Sequence, residues 1–214
     1  DYQWKKFDDD DDDDGLFDDD GYDDDGYDDD DYMEEFYNEN IGILYEVLGP
    51  VMPADTQKLA ETPGTPQYKA ADWLIADHLF HLEDYEDWRI IQRFAMATLF
   101  YATVGPSSWI NTDGWLSPKE HECDWFSSTR VLHDYEPCED GRLKELMLIE
   151  NGLNGTIPEE ISVLTSLFNI DLSSNDLTGE VPESIKKLDN LEELFLYSNS
   201  LSGTLSFLSS LPTV

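Results

Sequence analysis

The C-terminal third of the chain beats with a fixed period. Leu146, Ile170 and Leu194 stand 24 residues apart, as do Asn151, Asn175 and Asn199, and Gly155, Gly179 and Gly203. A period of this length indicates stacked units, each too small to shelter its apolar side chains alone. Within a unit, leucines alternate with other residues ahead of the asparagine (Leu146 and Leu148, Ile170 and Leu172, Leu194 and Leu196), the signature of a short strand with one face in the core. The intervening positions then point outward: Glu145, Met147 and Ile149; Asn169, Asp171 and Ser173; Glu193, Phe195 and Tyr197. The asparagine after each strand is placed to stack with its equivalents and satisfy buried backbone groups. The glycine permits the next turn, and Ile157-Pro158 or Val181-Pro182 opens a return segment.

Upstream, the apolar spacing changes from two to three and four. Thr65-Pro66 reads as a helix cap followed by proline at the first helical position, and Tyr68, Ala71, Leu74 and Ile75 form a stripe behind it. A second helix is predicted from about Asp84 through Trp88, Ile91, Ala95, Leu99 and Ala102, ending at Gly105-Pro106. Residues 49–66, with Gly49-Pro50, Pro53 and Pro63-Gly64, read as a linker holding one helical turn at most. The pattern therefore predicts an α/β architecture. An acidic tail over 1–37 precedes a helical lead-in over 38–104, a cap over 105–142 and about three repeats over 143–214. Two amphipathic helices can cover each other, but they need a third surface, and the open end of the solenoid supplies it.

Charge changes the picture at the N-terminus. The chain has 214 residues with 49 Asp+Glu against 12 Lys+Arg, a net charge of -37. Residues 1–40 hold 21 of those acids in a loose repeat of glycine, aromatic and aspartates. So many like charges cannot pack, and one aromatic in five residues cannot offset the ordering entropy, so this segment is expected to be a solvated disordered tail. Clustered carboxylates such as Asp8, Asp9, Asp10, Asp18, Asp19, Asp20, Asp23, Asp24 and Asp25 offer weak, multi-site calcium binding, lacking the ligand spacing of a dedicated loop. The same field repels nucleic acid and anionic lipid and favours a basic or cation-bridged partner. No apolar run approaches the ~20 residues of a membrane span. The opening Asp1-Tyr2-Gln3-Trp4 is not a signal peptide, and without an initiating Met the sequence reads as a processed or partial product.

The unit L-x-L-x-x-N-x-L-x-G-x-I-P of Leu146–Pro158, repeated from Ile170 and begun again at Leu194, resembles the plant-type leucine-rich-repeat family. The third unit departs from it, with Leu205 where Ile-Pro would stand. Upstream, residues 65–74, Gln92–Tyr101, Gly114-Trp115-Leu116-Ser117 and Glu122–Phe126 resemble the lead-in of leucine-rich-repeat proteins abundant in diatoms. The resemblance covers about residues 60–210. It implies an extracellular or cell-surface setting and a cysteine-paired cap, with Cys123 bonded to Cys138 in an oxidising compartment. Two alternatives stand beside the disulfide: free thiols, or zinc held by His121, Cys123, His133 and Cys138. Asn154-Gly155-Thr156 is an N-glycosylation acceptor.

No phosphate loop, nucleophile elbow or metal-ligand helix motif is present, so the chain is not read as an enzyme. The expected role is binding of a protein or glycan through the concave strand face, where Met147, Phe195 and Tyr197 are residue types enriched at interfaces. A structural alternative has the repeats self-assembling into an extracellular polymer or matrix while the tail organises calcium or mineral. An intracellular scaffold is a third reading, and ordinary surface residues on a scaffold are the plainest account of the strand face. No cofactor is expected beyond possible calcium.

Overall fold

The computed structural model describes residues 29–76, 82–112, 114–126 and 136–204. Helices come first: α1 (Asp29–Leu48), α2 (Thr56–Ala60), α3 (Pro66–Ala76), α4 (Asp87–Ala102) and the short α5 (Gly105–Ser108). A hairpin of β1 (Cys138–Glu139) and β2 (Arg142–Leu143) leads into the repeats. These contribute β3 (Glu145–Met147), β5 (Asn169–Asp171) and β7 (Glu193–Phe195) to one parallel ladder. A second ladder is built from β4 (Asn154–Gly155), β6 (Asp176–Glu180) and β8 (Ser200–Ser202). Two 3-10 turns, Glu159–Val163 and Glu183–Lys187, form the return segments.

The first ladder holds the register that the period requires. Leu146 pairs with Ile170 and Ile170 with Leu194. Leu148 and Leu172 are buried, and Leu196 packs partly buried against the same core. The asparagines tie rung to rung. Asn175 donates to the carbonyls of Leu148, Leu172 and Ser173 at 2.8, 3.0 and 3.1 Å, while its oxygen accepts from the N–H groups of Asn151 and Leu153, both at 3.0 Å. Asn199 repeats the arrangement one rung on, donating to Leu172 and accepting from Leu177. Asn151 faces the cap, where Asn111 takes the place of a preceding rung: the Asn111 N–H donates to the Asn151 oxygen at 2.8 Å and the Asn151 amide to the Asn111 carbonyl at 3.1 Å.

The helical layer packs against the repeats, with α4 as the shared wall. Ala95, Met96, Leu99 and Phe100 belong to the repeat core, whereas Ile90, Phe94 and Ala97 join α1 and α3 in a second core. Thr65 caps α3 by accepting from the Tyr68 N–H at 3.1 Å. The second helix ends earlier than expected. The Thr103 hydroxyl donates to the Leu99 carbonyl, Val104 takes a left-handed backbone (φ 56°), and Pro106 then falls in α5 rather than terminating α4. The single turn expected in the linker is α2. The expected tail boundary at residue 37 lies inside α1. Residues 1–28, with the candidate calcium ligands Asp8 to Asp25, lie outside the described residues, as do Leu205 and the rest of the third return segment.

Polar contacts fasten the layers together. Gln92 donates to the Gly141 carbonyl at 3.0 Å and accepts from the Leu143 N–H at 2.8 Å, holding the hairpin against α4. Glu160, 1% exposed in the first return segment, accepts from the Thr56 hydroxyl at 2.7 Å and from the Gln67 amide at 3.1 Å. Arg93 and Glu122 form a fully buried ion pair, with Arg89 as a second cation at 3.2 Å. The Arg93 guanidinium lies 5.0 Å from the Trp73 ring centroid and 5.3 Å from that of Trp125. Burial pulls its pKa below the usual arginine range, with the Glu122 carboxylate opposing the shift.

Candidate binding face

The outward positions of β3, β5 and β7 and of the residues just after them form three rows, because the parallel register places equivalent residues side by side. One row is Glu145, Asn169 and Glu193, and the next is Met147, Asp171 and Phe195. Continuing the register gives Ile149, Ser173 and Tyr197. Not all nine are available to a ligand. Ile149, Phe195 and Tyr197 are 42%, 40% and 62% exposed, Glu193 is exposed, and Glu145, Met147 and Asn169 are half-buried.

Asp171 and Ser173 depart from the expectation that every outward position presents itself to a partner. Both are buried, and they turn to one another: the Asp171 carboxylate accepts from the Ser173 N–H at 2.9 Å and from its hydroxyl at 2.5 Å. A short side chain flanked by longer neighbours on two rungs becomes the floor of the face. What remains is two apolar pairs on either side of that floor, Met147 with Ile149 on the first rung and Phe195 with Tyr197 on the third, beside the Glu145 and Glu193 carboxylates. Burial pushes the Glu145 carboxyl above its ordinary pKa; the Glu193 charge pushes it further, and Lys144 opposes both.

Cys123 and Cys138 are joined in a disulfide, with 5.8 Å between Cα atoms, so neither zinc ligation by these sulfurs nor free thiols describes this cap. The bridge ties the 3-10 turn Glu122–Asp124 to β1 beside the first rung. His133 lies outside the described residues, and among those described no cluster of His, Cys, Asp and Glu gathers to hold a metal ion. Asn154 is exposed in β4, with its N–H on the Thr103 carbonyl at 3.1 Å. No described helix is long and apolar enough to cross a membrane.

Sequence reasoning overlooked Asn111, Gln92 and Glu160. Each is an isolated polar residue whose partner lies far along the chain, and no local pattern marks it.

The Leucine Rich Repeat family profile matches residues 166–188, the unit that contains β5 and β6. Comparison with curated proteins finds no match. Among solved structures, the leucine-rich-repeat ectodomain of the receptor kinase SOBIR1 from Arabidopsis thaliana is 40% identical over 32% of this chain and 38% of its own, with a TM-score of 0.31. The BIR3–SERK2 complex from Arabidopsis thaliana aligns at 24% identity over 51% of this chain and 67% of that chain, with a TM-score of 0.30. A plant ice-binding protein aligns at 24% identity over 56% and 44%, with a TM-score of 0.37. This chain thus spans well under half the length of the SOBIR1 ectodomain chain, and the likenesses are local. The matched unit and the rungs stacked on either side of it show that the chain carries leucine-rich repeats.

Proposed function

We propose that the chain is a non-enzymatic, extracellular or cell-surface recognition module that binds a protein through the outward face of β3, β5 and β7, which we take to be concave. The observation that carries this reading is the exposure of Phe195 and Tyr197 on the third rung and of Ile149 on the first, beside two carboxylates, since exposed aromatics on a rigid ladder supply contact area at little entropic cost. Glu145 and Glu193 favour a basic partner. Burial and like charge both raise the Glu145 pKa, and a ligand cation between the two carboxylates relieves the repulsion. The disulfide supports an oxidising compartment. The resemblance of the lead-in segments to diatom leucine-rich-repeat proteins extends the reading to the helical layer. No cofactor enters this role.

Selection of a random peptide library on the full chain tests the proposal. Selected peptides should combine Lys or Arg with apolar residues, and should lose binding to a Phe195→Ser, Tyr197→Ser variant. Peptides that bind wild type and variant alike would overturn it.

A further inference from the structure

We propose that a groove between the helical layer and the return segments of the first two repeats binds a small amphipathic anion, with an apolar body and one carboxylate or sulfonate end. The groove encloses about 330 Å³, within the range of small-ligand sites. It shares no residue with the strand face. Its apolar wall comes from Val51, Trp88, Ile91 and Val163, contributed by the linker, α4 and the first return segment.

Two cations stand at this groove, Arg142 from β2 and Lys187 from the second return segment. Elsewhere four of the described cations are paired: Arg89 and Arg93 with Glu122, Lys144 with Glu139, and Lys186 with Glu183. Among the described residues, Arg142 and Lys187 have no carboxylate within 4.0 Å, as is also true of Lys58, Lys69 and Lys119, and these two stand together at the groove. Arg142 is held over the Trp88 ring at 4.3 Å, which fixes the guanidinium beside the apolar wall. Ser162 also lines the groove, but it is 2% exposed and its hydroxyl is buried, so it offers a ligand no accessible polar group. The nearby Gln92 amide is committed to Gly141 and Leu143, which leaves the two cations as the polar end of the groove.

An apolar wall with two cations beside it, one of them fixed over Trp88, complements a body-and-head anion. The groove suits neither a neutral lipid tail, which would leave the cations unused, nor a bare inorganic anion, which would leave the wall wet.

Fluorescence titration of the full chain with anilinonaphthalene sulfonate, beside its uncharged counterpart phenylnaphthylamine, decides the matter. The sulfonate should saturate a single site and bind more tightly than the neutral dye. An Arg142→Gln, Lys187→Gln variant should weaken sulfonate binding about tenfold or more, the scale of one lost charge-assisted contact, and leave the neutral dye unchanged. A Lys58→Gln, Lys119→Gln variant removes the same charge from outside the groove and should bind as wild type. A Val163→Asp variant, checked for an unchanged melting temperature, should lose both dyes. Non-saturating binding, equal affinity for the two dyes, or equal losses in the two charge variants would overturn the proposal.

Discussion

The carbonyl oxygen of Ala102 occupies the space beside Gly155 so closely that a Cβ added there would stand 2.2 Å from it. The end of α4 thus lies against β4 as a neighbouring strand would, and Asn154 and Thr156 donate to Thr103 and Ala102. Gly155→Ala should cost about 3 kcal/mol, because it meets backbone rather than a movable side chain at a φ of 134°. Gly179→Ala meets only the Thr156 side chain, at 3.0 Å, and should cost less. Denaturant unfolding of the two variants checks the order.

Asn175→Ala removes five hydrogen bonds to backbone groups of two rungs. A loss of about 3–5 kcal/mol is expected, well above a single hydrogen bond, because the abandoned groups stay buried. Asn199→Ala should be milder, since its position is only half-buried. Equal effects in thermal unfolding would count against the rung-to-rung account.

Reduction of the Cys123–Cys138 bridge releases a loop closed over a sequence separation of 15. Stability should fall by about 3 kcal/mol. Melting curves with and without reductant, and of Cys123→Ser with Cys138→Ser, should agree with each other.

Glu122→Gln leaves Arg93 buried without its counter-charge, at a cost of about 3–5 kcal/mol. Replacing both with apolar residues of similar size, Arg93→Met with Glu122→Leu, should recover most of that loss. A double-mutant cycle measures the coupling.

For Glu145 the pH dependence has a definite sign. Its folded pKa is raised from 4.5, so the folded state holds the proton more tightly than the unfolded state. Stability from this group falls as pH rises from 4.5 through the folded value, and the cost is fully present above it. Glu145→Gln should melt higher than wild type at neutral pH, and the gap should close on acidification towards 4.5. A gap that widens on acidification would contradict this.

The repeats were legible because period and alternation are properties of neighbouring residues. Leu146, Leu148, Ile170 and Leu172 are all buried as the spacing requires. The stripe on α3 read correctly for the same reason, with Ala71, Leu74 and Ile75 buried. On α4 the reading was incomplete. A single stripe through Ala95 and Leu99 was expected, but Ile90, Phe94 and Ala97 are buried on the other side, because the helix lies between two cores. On the strand face the exchange between Asp171 and Ser173 was not legible, because the pattern assigns both positions outward and does not show that they bond to each other. Gln92 and Asn111 stayed invisible because their partners lie 51 and 40 residues away.

The asparagine column has a polarity. Asn175 completes the rung before its own, Asn199 completes that of Asn175, and Asn151 completes the cap. A nascent coil emerging from the ribosome therefore always carries one unfinished turn, whose buried amides wait for roughly one further repeat of synthesis. Growth proceeds by deferred closure, and unravelling should run in the reverse direction, each departing turn uncovering the one laid down before it.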